Sequence, residues 1–234
     1  MKHFFILFLS AATALTLAAC GTTPAAQSLE PVSQPEQVSP SHQPEEPEDA
    51  PEAPSDDTRP TGKTLVAYFS LAGEQYNVGV IEEGNTSIIA HMIAEQTGGD
   101  LFEIEAVNPY PTTHSELLDV SRQEIADHAR PEIAGTVENM DDYDTVFIGY
   151  PNWWGDMPMI VYNFIESYDF TEKTMIPFCT HGGSGLSGTE RTMEEITGAS
   201  MLNGFAISGE TAQNDRERSL AEVTAWLEEI EIVP

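Results

Sequence analysis

From residue 64 onward the chain switches repeatedly between short apolar or β-branched runs and longer segments with helical spacing, and that alternation leaves few folds open. The runs are TLVAYFS (64–70), LFEIEA (101–106), DTVFIGY (144–150), TMIPFCT (174–180) and NGFAIS (203–208). Between them lie TSIIAHMIAEQTGG, with Thr86 as a cap and Gly98 as a stop, then THSELLDVSRQEIADHA, MPMIVYNFIESY and GTERTMEEITG. An amphipathic NDRERSLAEVTAWLEEIEI closes the chain. Strands that alternate with helices pair in parallel through right-handed crossovers. The first, third and fourth runs are almost continuously apolar, as strands are when helices cover both faces of their sheet. The expectation is an α/β fold: a five-stranded parallel sheet with helices on both faces.

The residues before this pattern have a different character. MKHFFILFLSAATALTLAAC, residues 1–20, is a Lys, an apolar run of about fifteen residues and small residues before a cysteine, a secretory signal too short to span a bilayer. Leu17-Ala18-Ala19-Cys20 resembles the bacterial lipobox, which implies that Cys20 is lipidated and becomes the mature N-terminus. An ordinary signal peptide cut elsewhere and an uncleaved anchor are the competing readings. Residues 21–60 hold nine of the sixteen prolines, nine acidic residues and no aromatic residue. Such a segment buries too little apolar surface to order itself and reads as a disordered, extended, acidic spacer. The expected organisation is a leader at 1–20, a linker at 21–60 and a folded domain at 61–234, displayed on the extracytoplasmic side of a bacterial membrane by lipid on Cys20.

The 61–234 segment carries 30 acidic and 7 basic residues. A surface of that sign argues against a nucleic-acid partner, since phosphate backbones are bound through clustered Lys and Arg. Docking to a basic protein partner fits better. With Cys20 acylated, Cys179 has no partner for a disulfide and reads as a small packed residue. No His/Cys/Asp spacing resembles a metal site. His91 and His114 sit in helical patterns and read as surface or core residues; His181, at the end of the fourth strand, is better placed for a functional role.

In an open parallel sheet ligands bind beyond the carboxyl ends of the strands. The unusual residues of this chain cluster in the three loops that follow strands one, three and four. SLAGEQYNVGVIEEGNT (70–86) supplies Ser70, Gly73, Gly84, Asn85 and Thr86 ahead of a helix, hydroxyls and free N–H groups suited to a phosphate, with no Lys or Arg. Its eleven residues between Gly73 and Asn85 exceed an ordinary connection. PNWWGDMP (151–158) puts two adjacent tryptophans on an irregular segment, where a flat ligand can stack. HGGSGLSGTE (181–190) matches G-x-G-x-x-G at Gly183–Gly188, with Glu210 further on, the pattern of a dinucleotide fingerprint. That fingerprint normally opens the first βαβ unit, whereas here it follows the fourth strand. Its glycines also suit close approach of backbone to a flat heterocycle.

LVAYFS, the GNT at 84–86, FIGYPNWWGDMP and PFCTHGGSGLSG together resemble the flavodoxin family, over essentially all of 63–232. The resemblance implies the strand order 2-1-3-4-5 and FMN as cofactor. It implies that Ser70, Asn85 and Thr86 hold the phosphate, with Gly73 or Gly84 closing around it. Pro151, Asn152, Trp153, Trp154 and Gly155 would line the ring, with one tryptophan stacking, while Thr180, Gly182, Gly183, Ser184 and Gly185 meet its polar edge. The implied function is electron transfer between FMN and redox partner proteins. A reductase passing electrons from a nicotinamide to a quinone or other small acceptor, and a tethered binding module without cofactor, are the alternatives. Asp156 and Glu190 flank the two ring loops, and their charge is expected to disfavour a reduced, anionic ring.

Overall fold

The computed structural model describes residues 62–234. The expected leader, lipobox and spacer at 1–60 lie outside the described residues. In chain order the elements are β1 (Lys63–Tyr68), β2 (Gly73–Gln75), β3 (Gly79–Ile81), α1 (Asn85–Thr97), β4 (Asp100–Glu103), α2 (His114–Asp127) and β5 (Tyr143–Pro151). They continue with α3 (Met159–Glu166), β6 (Thr174–His181), α4 (Thr189–Thr197), β7 (Ser200–Met201), β8 (Phe205–Ser208), α5 (Gly209–Asn214) and α6 (Arg216–Glu229).

The main sheet runs β4-β1-β5-β6, and the last position beside β6 is shared by β7 and β8; every pairing is parallel. Counted by sheet position this is the 2-1-3-4-5 order, with the fifth strand in two pieces. The chain leaves β1 toward β4 on one side and returns past it to β5, so the strand order reverses beside β1, where a crevice opens at the carboxyl ends.

Side-chain alternation along the strands explains why both faces are covered. Leu65, Ala67 and Phe69 with Val146, Ile148 and Tyr150 pack toward Ile160, Val161, Phe164 and Met193 of α3 and α4. Val66 and Tyr68 with Phe147, Ile176 and Phe178 pack toward Ile88, Ile89 and Ile93 of α1 and Val223, Trp226 and Leu227 of α6. The strands are thus apolar at nearly every position because each alternate residue meets a different helix layer. Among the described residues no helix is long and apolar enough to cross a membrane.

Three local features differ from the sequence expectation. Thr86 is not the cap of α1: Gly84 holds that position, and Thr86 lies buried in the first turn. A short helix not expected from the sequence, α5, precedes the closing helix α6: Ser208 caps α5 through the Thr211 N–H, and Asp215 ends it and caps α6 through the Arg218 N–H. The long loop after β1 is also not featureless, since β2 and β3 form an antiparallel hairpin within it.

One glycine marks how tightly the sheet centre is packed. Gly149 of β5 is the register partner of Phe178 of β6, and a Cβ on it would stand 2.2 Å from Phe178 Cζ. Gly149→Ala is therefore expected to lower stability by about 1–3 kcal/mol through overpacking. Urea unfolding should show a lower midpoint with an unchanged slope.

Candidate functional site

The carboxyl end of β1 delivers Ser70 to the start of α1. Ser70 Oγ accepts the Ser87 N–H at 3.0 Å, satisfying one of the helix's end donors from outside the helix. The N–H groups of Asn85 and Thr86 have no intrahelical partner by position. Thr86 Oγ1 pairs with Thr180 Oγ1 of β6 at 2.8 Å, which fastens this helix end to the sheet. A Cβ on Gly84 would lie 2.2 Å from Ser70 Oγ and 2.7 Å from the Leu71 oxygen, so only glycine allows the approach. Gly84, not Gly73, therefore closes this end; Gly73 faces Thr112, whose oxygen would stand 2.6 Å from a Cβ there. Ser70, Asn85 and Thr86 line a narrow cleft with Gln75, Pro151, Trp153 and Thr180. The Asn85 side chain packs on Gly209, and its Oδ1 is buried without a hydrogen-bond partner.

Gln75, Asn85, Pro151, Trp153 and Thr180 also line a larger cavity of about 500 Å³, so cleft and cavity adjoin and share these residues as walls. The loop after β5 forms one wall of it. Trp153 and Asp156 exchange backbone hydrogen bonds at 2.9 and 3.0 Å, with φ of 59° at Trp154 and 79° at Gly155. Positive φ at both central residues is the type I′ turn, whose usual first residue is Asn, Asp or Gly. A tryptophan there costs on the order of 1–3 kcal/mol of backbone strain.

That turn sends the two tryptophans in different directions. Trp153 packs edge-to-face on Phe69 and Tyr110, with ring centroids 5.5 and 5.6 Å away. Trp154, 48% exposed, reaches α2 instead, where its Nε1–H donates to Ser121 Oγ at 3.0 Å. The Arg122 guanidinium stacks 4.3 Å from its ring centroid. These contacts hold the strained turn in place. Asn152 joins it to the glycine loop: its Nδ2 donates to the Gly185 oxygen at 2.8 Å and to Ser187 Oγ at 3.0 Å, while its Oδ1 accepts the Gly155 N–H at 3.1 Å.

In the glycine loop, Gly183, Gly185, Ser187 and Gly188 all have positive φ. The spacing that matches the fingerprint thus supplies a chain of tight turns into α4. His181 Nδ1 accepts the Gly183 N–H at 2.9 Å, which leaves the ring proton on Nε2. Burial holds His181 below its ordinary pKa, so it is neutral at pH 7. Cys179 is fully buried, its thiol 3.3 Å from the Gly185 oxygen, and burial pushes its pKa up to about 12. Asp156 and Glu190 line neither cavity nor cleft. The first accepts from Tyr162 Oη at 3.0 Å and the second from the Gly204 N–H at 2.8 Å.

Of the residues singled out in the sequence, Asn85, Pro151, Asn152, Trp153, Trp154, Gly155, Thr180, Gly182 and Ser184 line the cavity; Gly73, Gly183 and Gly185 line neither space. The wall supplied by α2 was not foreseen. His114, Leu117, Leu118 and Ser121 fall at i, i+3, i+4 and i+7 and present one stripe to the cavity. Tyr76 of the hairpin joins them. No residue of the lining is Asp, Glu, Lys or Arg, in a domain rich in acid. Among the described residues no group of three His, Cys, Asp or Glu is placed to hold a metal ion.

A family model described as flavodoxin matches residues 63–230. No curated protein matches the chain by sequence. Among solved structures, a protein of Bacteroides eggerthii DSM 20697 designated a flavoprotein is 31% identical with a TM-score of 0.58, covering 73% of this chain and 98% of its own. One from Bacteroides uniformis ATCC 8492, with the same designation, is 32% identical with a TM-score of 0.58 and coverages of 71% and 98%. A flavoprotein of Lactobacillus acidophilus NCFM, solved in complex with FMN, shares the fold at 20% identity and a TM-score of 0.50, covering 66% of this chain and 97% of its own. By the span of the family match and the arrangement of its three loops, the chain belongs to the flavodoxin family.

Proposed function

We propose that this domain is an FMN-dependent electron-transfer protein, held by lipid on Cys20 at the extracytoplasmic face of a bacterial membrane. One observation carries the flavin reading: a cleft at the N-terminus of α1 adjoins, across shared walls, a cavity lined by aromatic residues and by no Asp, Glu, Lys or Arg. The donor set suits the parts of FMN in turn. The Asn85 and Thr86 N–H groups and the Ser70 hydroxyl suit a phosphate, which a helix N-terminus holds without a cationic side chain. The orphaned Asn85 Oδ1 suits a hydroxyl of the ribityl chain, removing a cost of about 1–3 kcal/mol for a buried unpaired acceptor. Trp154 and the backbone of Gly182 and Ser184 bound the space for the ring.

Bound FMN supplies one- and two-electron transfer, and the residues around it supply exclusion of water, orientation and a hydrogen-bond donor at His181 Nε2. The strongly acidic domain favours a basic redox partner and speeds its approach at low ionic strength. A second reading, reduction of a small acceptor, is favoured by the α2 stripe, which adds Leu117, Leu118 and Ser121 to the cavity wall. The nicotinamide donor of that reading finds no Lys or Arg in the lining to meet its pyrophosphate. The leader pattern at 1–20 and the proline-rich, acidic composition of 21–60 support surface display.

Titration of the purified chain with FMN is expected to give a flavin difference spectrum saturating at one equivalent. Riboflavin, lacking the phosphate, should bind about tenfold or more weakly. A protein that leaves the flavin spectrum unchanged would remove the redox reading and leave the cofactor-free binding module. Mass spectrometry of the mature N-terminus is expected to find acylated Cys20; a free Cys20 thiol or cleavage at another residue would refute the tether.

A further inference from the structure

A second cavity, of about 390 Å³, lies among the loop after β4, a different stripe of α2 and residues 131–132. Its walls are tied in place. The Val107 N–H donates to the Glu132 oxygen at 2.9 Å and the Ala134 N–H to the Glu105 oxygen at 2.8 Å, which pairs the chain around Ala106 with that around Ile133. Asn163 Nδ2 of α3 donates to the Pro131 oxygen at 2.8 Å. Val120 of α2 with Pro109, Pro111 and Pro131 supplies the apolar part of the lining. Prolines present ring faces and carbonyl acceptors but no N–H, so this wall asks an occupant to bring donors. The charge has the same sense. Glu124, one turn beyond Val120, lines the cavity with Glu132, and no Lys or Arg does. Glu124 is half-buried, and its Oε2 accepts from Tyr110 Oη at 3.1 Å. The nearest cations along the chain are committed elsewhere: Arg122 lies over the Trp154 ring, and Arg130 meets both oxygens of Glu166 at 2.6 Å. Among the described residues no cation pairs with Glu124. Burial therefore holds its pKa above the ordinary carboxylate value, against the opposing effect of the Tyr110 hydrogen bond.

We propose that this cavity binds an alkylammonium group, with Glu124 as its counter-ion and the prolines and Val120 around its alkyl stem. A half-buried carboxylate without a cation is the group that gains most from one, and a methylene stem lies readily on apolar surface while its charged head reaches a polar partner. An ammonium suits the site better than a guanidinium does. Tyr110 occupies one carboxylate oxygen and leaves the other, whereas a guanidinium fork binds through two. An anion is refused by Glu124 and Glu132 together. The site is separate from the larger cavity and does not rest on the flavin reading. Tyr110 links the two spaces, since its ring packs on Trp153 at 5.6 Å while its hydroxyl holds Glu124. The ammonium can belong to a free aliphatic amine or to a lysine side chain of a basic partner, and the chemistry of recognition is the same.

The experiment is calorimetric titration of the full chain with n-pentylammonium, its neutral and anionic counterparts 1-pentanol and pentanoate, and acetyl-Gly-Lys-Gly-amide. Pentylammonium should saturate at one equivalent, with 1-pentanol and pentanoate weaker by about tenfold or more. Glu124→Gln keeps an acceptor for Tyr110 and should unfold in urea at the wild-type midpoint, yet lose about tenfold or more in pentylammonium affinity. Tyr110→Phe frees the second oxygen of Glu124 and should bind pentylammonium at least as tightly as wild type. A lysine peptide that binds at least as tightly as pentylammonium supports the site and assigns the amine to a protein partner; a weaker one supports it and assigns a free amine. Equal binding of pentylammonium and 1-pentanol overturns the proposal by making the cavity merely apolar. Unchanged affinity in Glu124→Gln, or a loss in Tyr110→Phe as large as that in Glu124→Gln, overturns it by removing the carboxylate from the contact. Absence of heat with both cationic probes overturns it outright.

Discussion

Burial on both faces is the constraint from which the rest of this domain follows. β1, β5 and β6 each send alternate side chains into two helix layers, and residues such as Val66, Phe147, Ile176 and Cys179 are completely inaccessible. Nothing polar can be accommodated along such strands except where it is paired. Thr145 Oγ1, buried without a partner at the amino end of β5, is the exception that shows the cost. Polar groups are therefore displaced to the strand ends, and the loops there carry the chemistry. The strand order decides which end matters, because only beside β1 do successive crossovers diverge and leave the helices apart.

The site depends on ties between loops more than on any one loop. Ser70 joins β1 to α1, the Thr86–Thr180 hydroxyl pair joins α1 to β6, and Asn152 joins the tryptophan turn to the glycine loop. Trp154 then joins that turn to α2. Each tie is a neutral hydrogen bond worth about 1 kcal/mol. Closed in series, however, they fix the relative positions of segments that are far apart in sequence, which is what a preformed ligand site requires.

Much of this was legible before the structure. The alternation of five runs and five helices was strong because Leu65, Val66, Ala67, Val146, Phe147 and Ile148 leave no solvent face. The polar start of α1 was legible as hydroxyl and amide residues before an apolar helix. The hairpin was not, since GEQ and GVI are three-residue strands with glycine in each and no hydrophobic alternation, held by contacts to Thr112 and His114 that no local pattern announces. The divergence of Trp153 and Trp154 was equally hidden, because it turns on a backbone conformation that sequence preference would give to glycine or asparagine. His114 looked like an ordinary helical residue. Its role as cavity wall depends on which stripe of α2 faces the sheet edge, and α2, with only Leu117 and Ser121 buried, has a weak apolar signal of its own.

The buried Cys179 thiol bears on how the domain would withstand oxidants arising from the function proposed above. A redox site that meets molecular oxygen can produce hydrogen peroxide, and the first target of peroxide in a protein is a cysteine thiolate. Cys179, the one cysteine among the described residues, lies two residues before the end of β6 and next to Thr180 of the cavity lining. With no solvent access and its proton retained to about pH 12, it is not a thiolate at physiological pH. The same burial removes it from thiol–disulfide exchange. The packing that gives Cys179 its place in the core therefore also makes it chemically silent toward peroxide and disulfides.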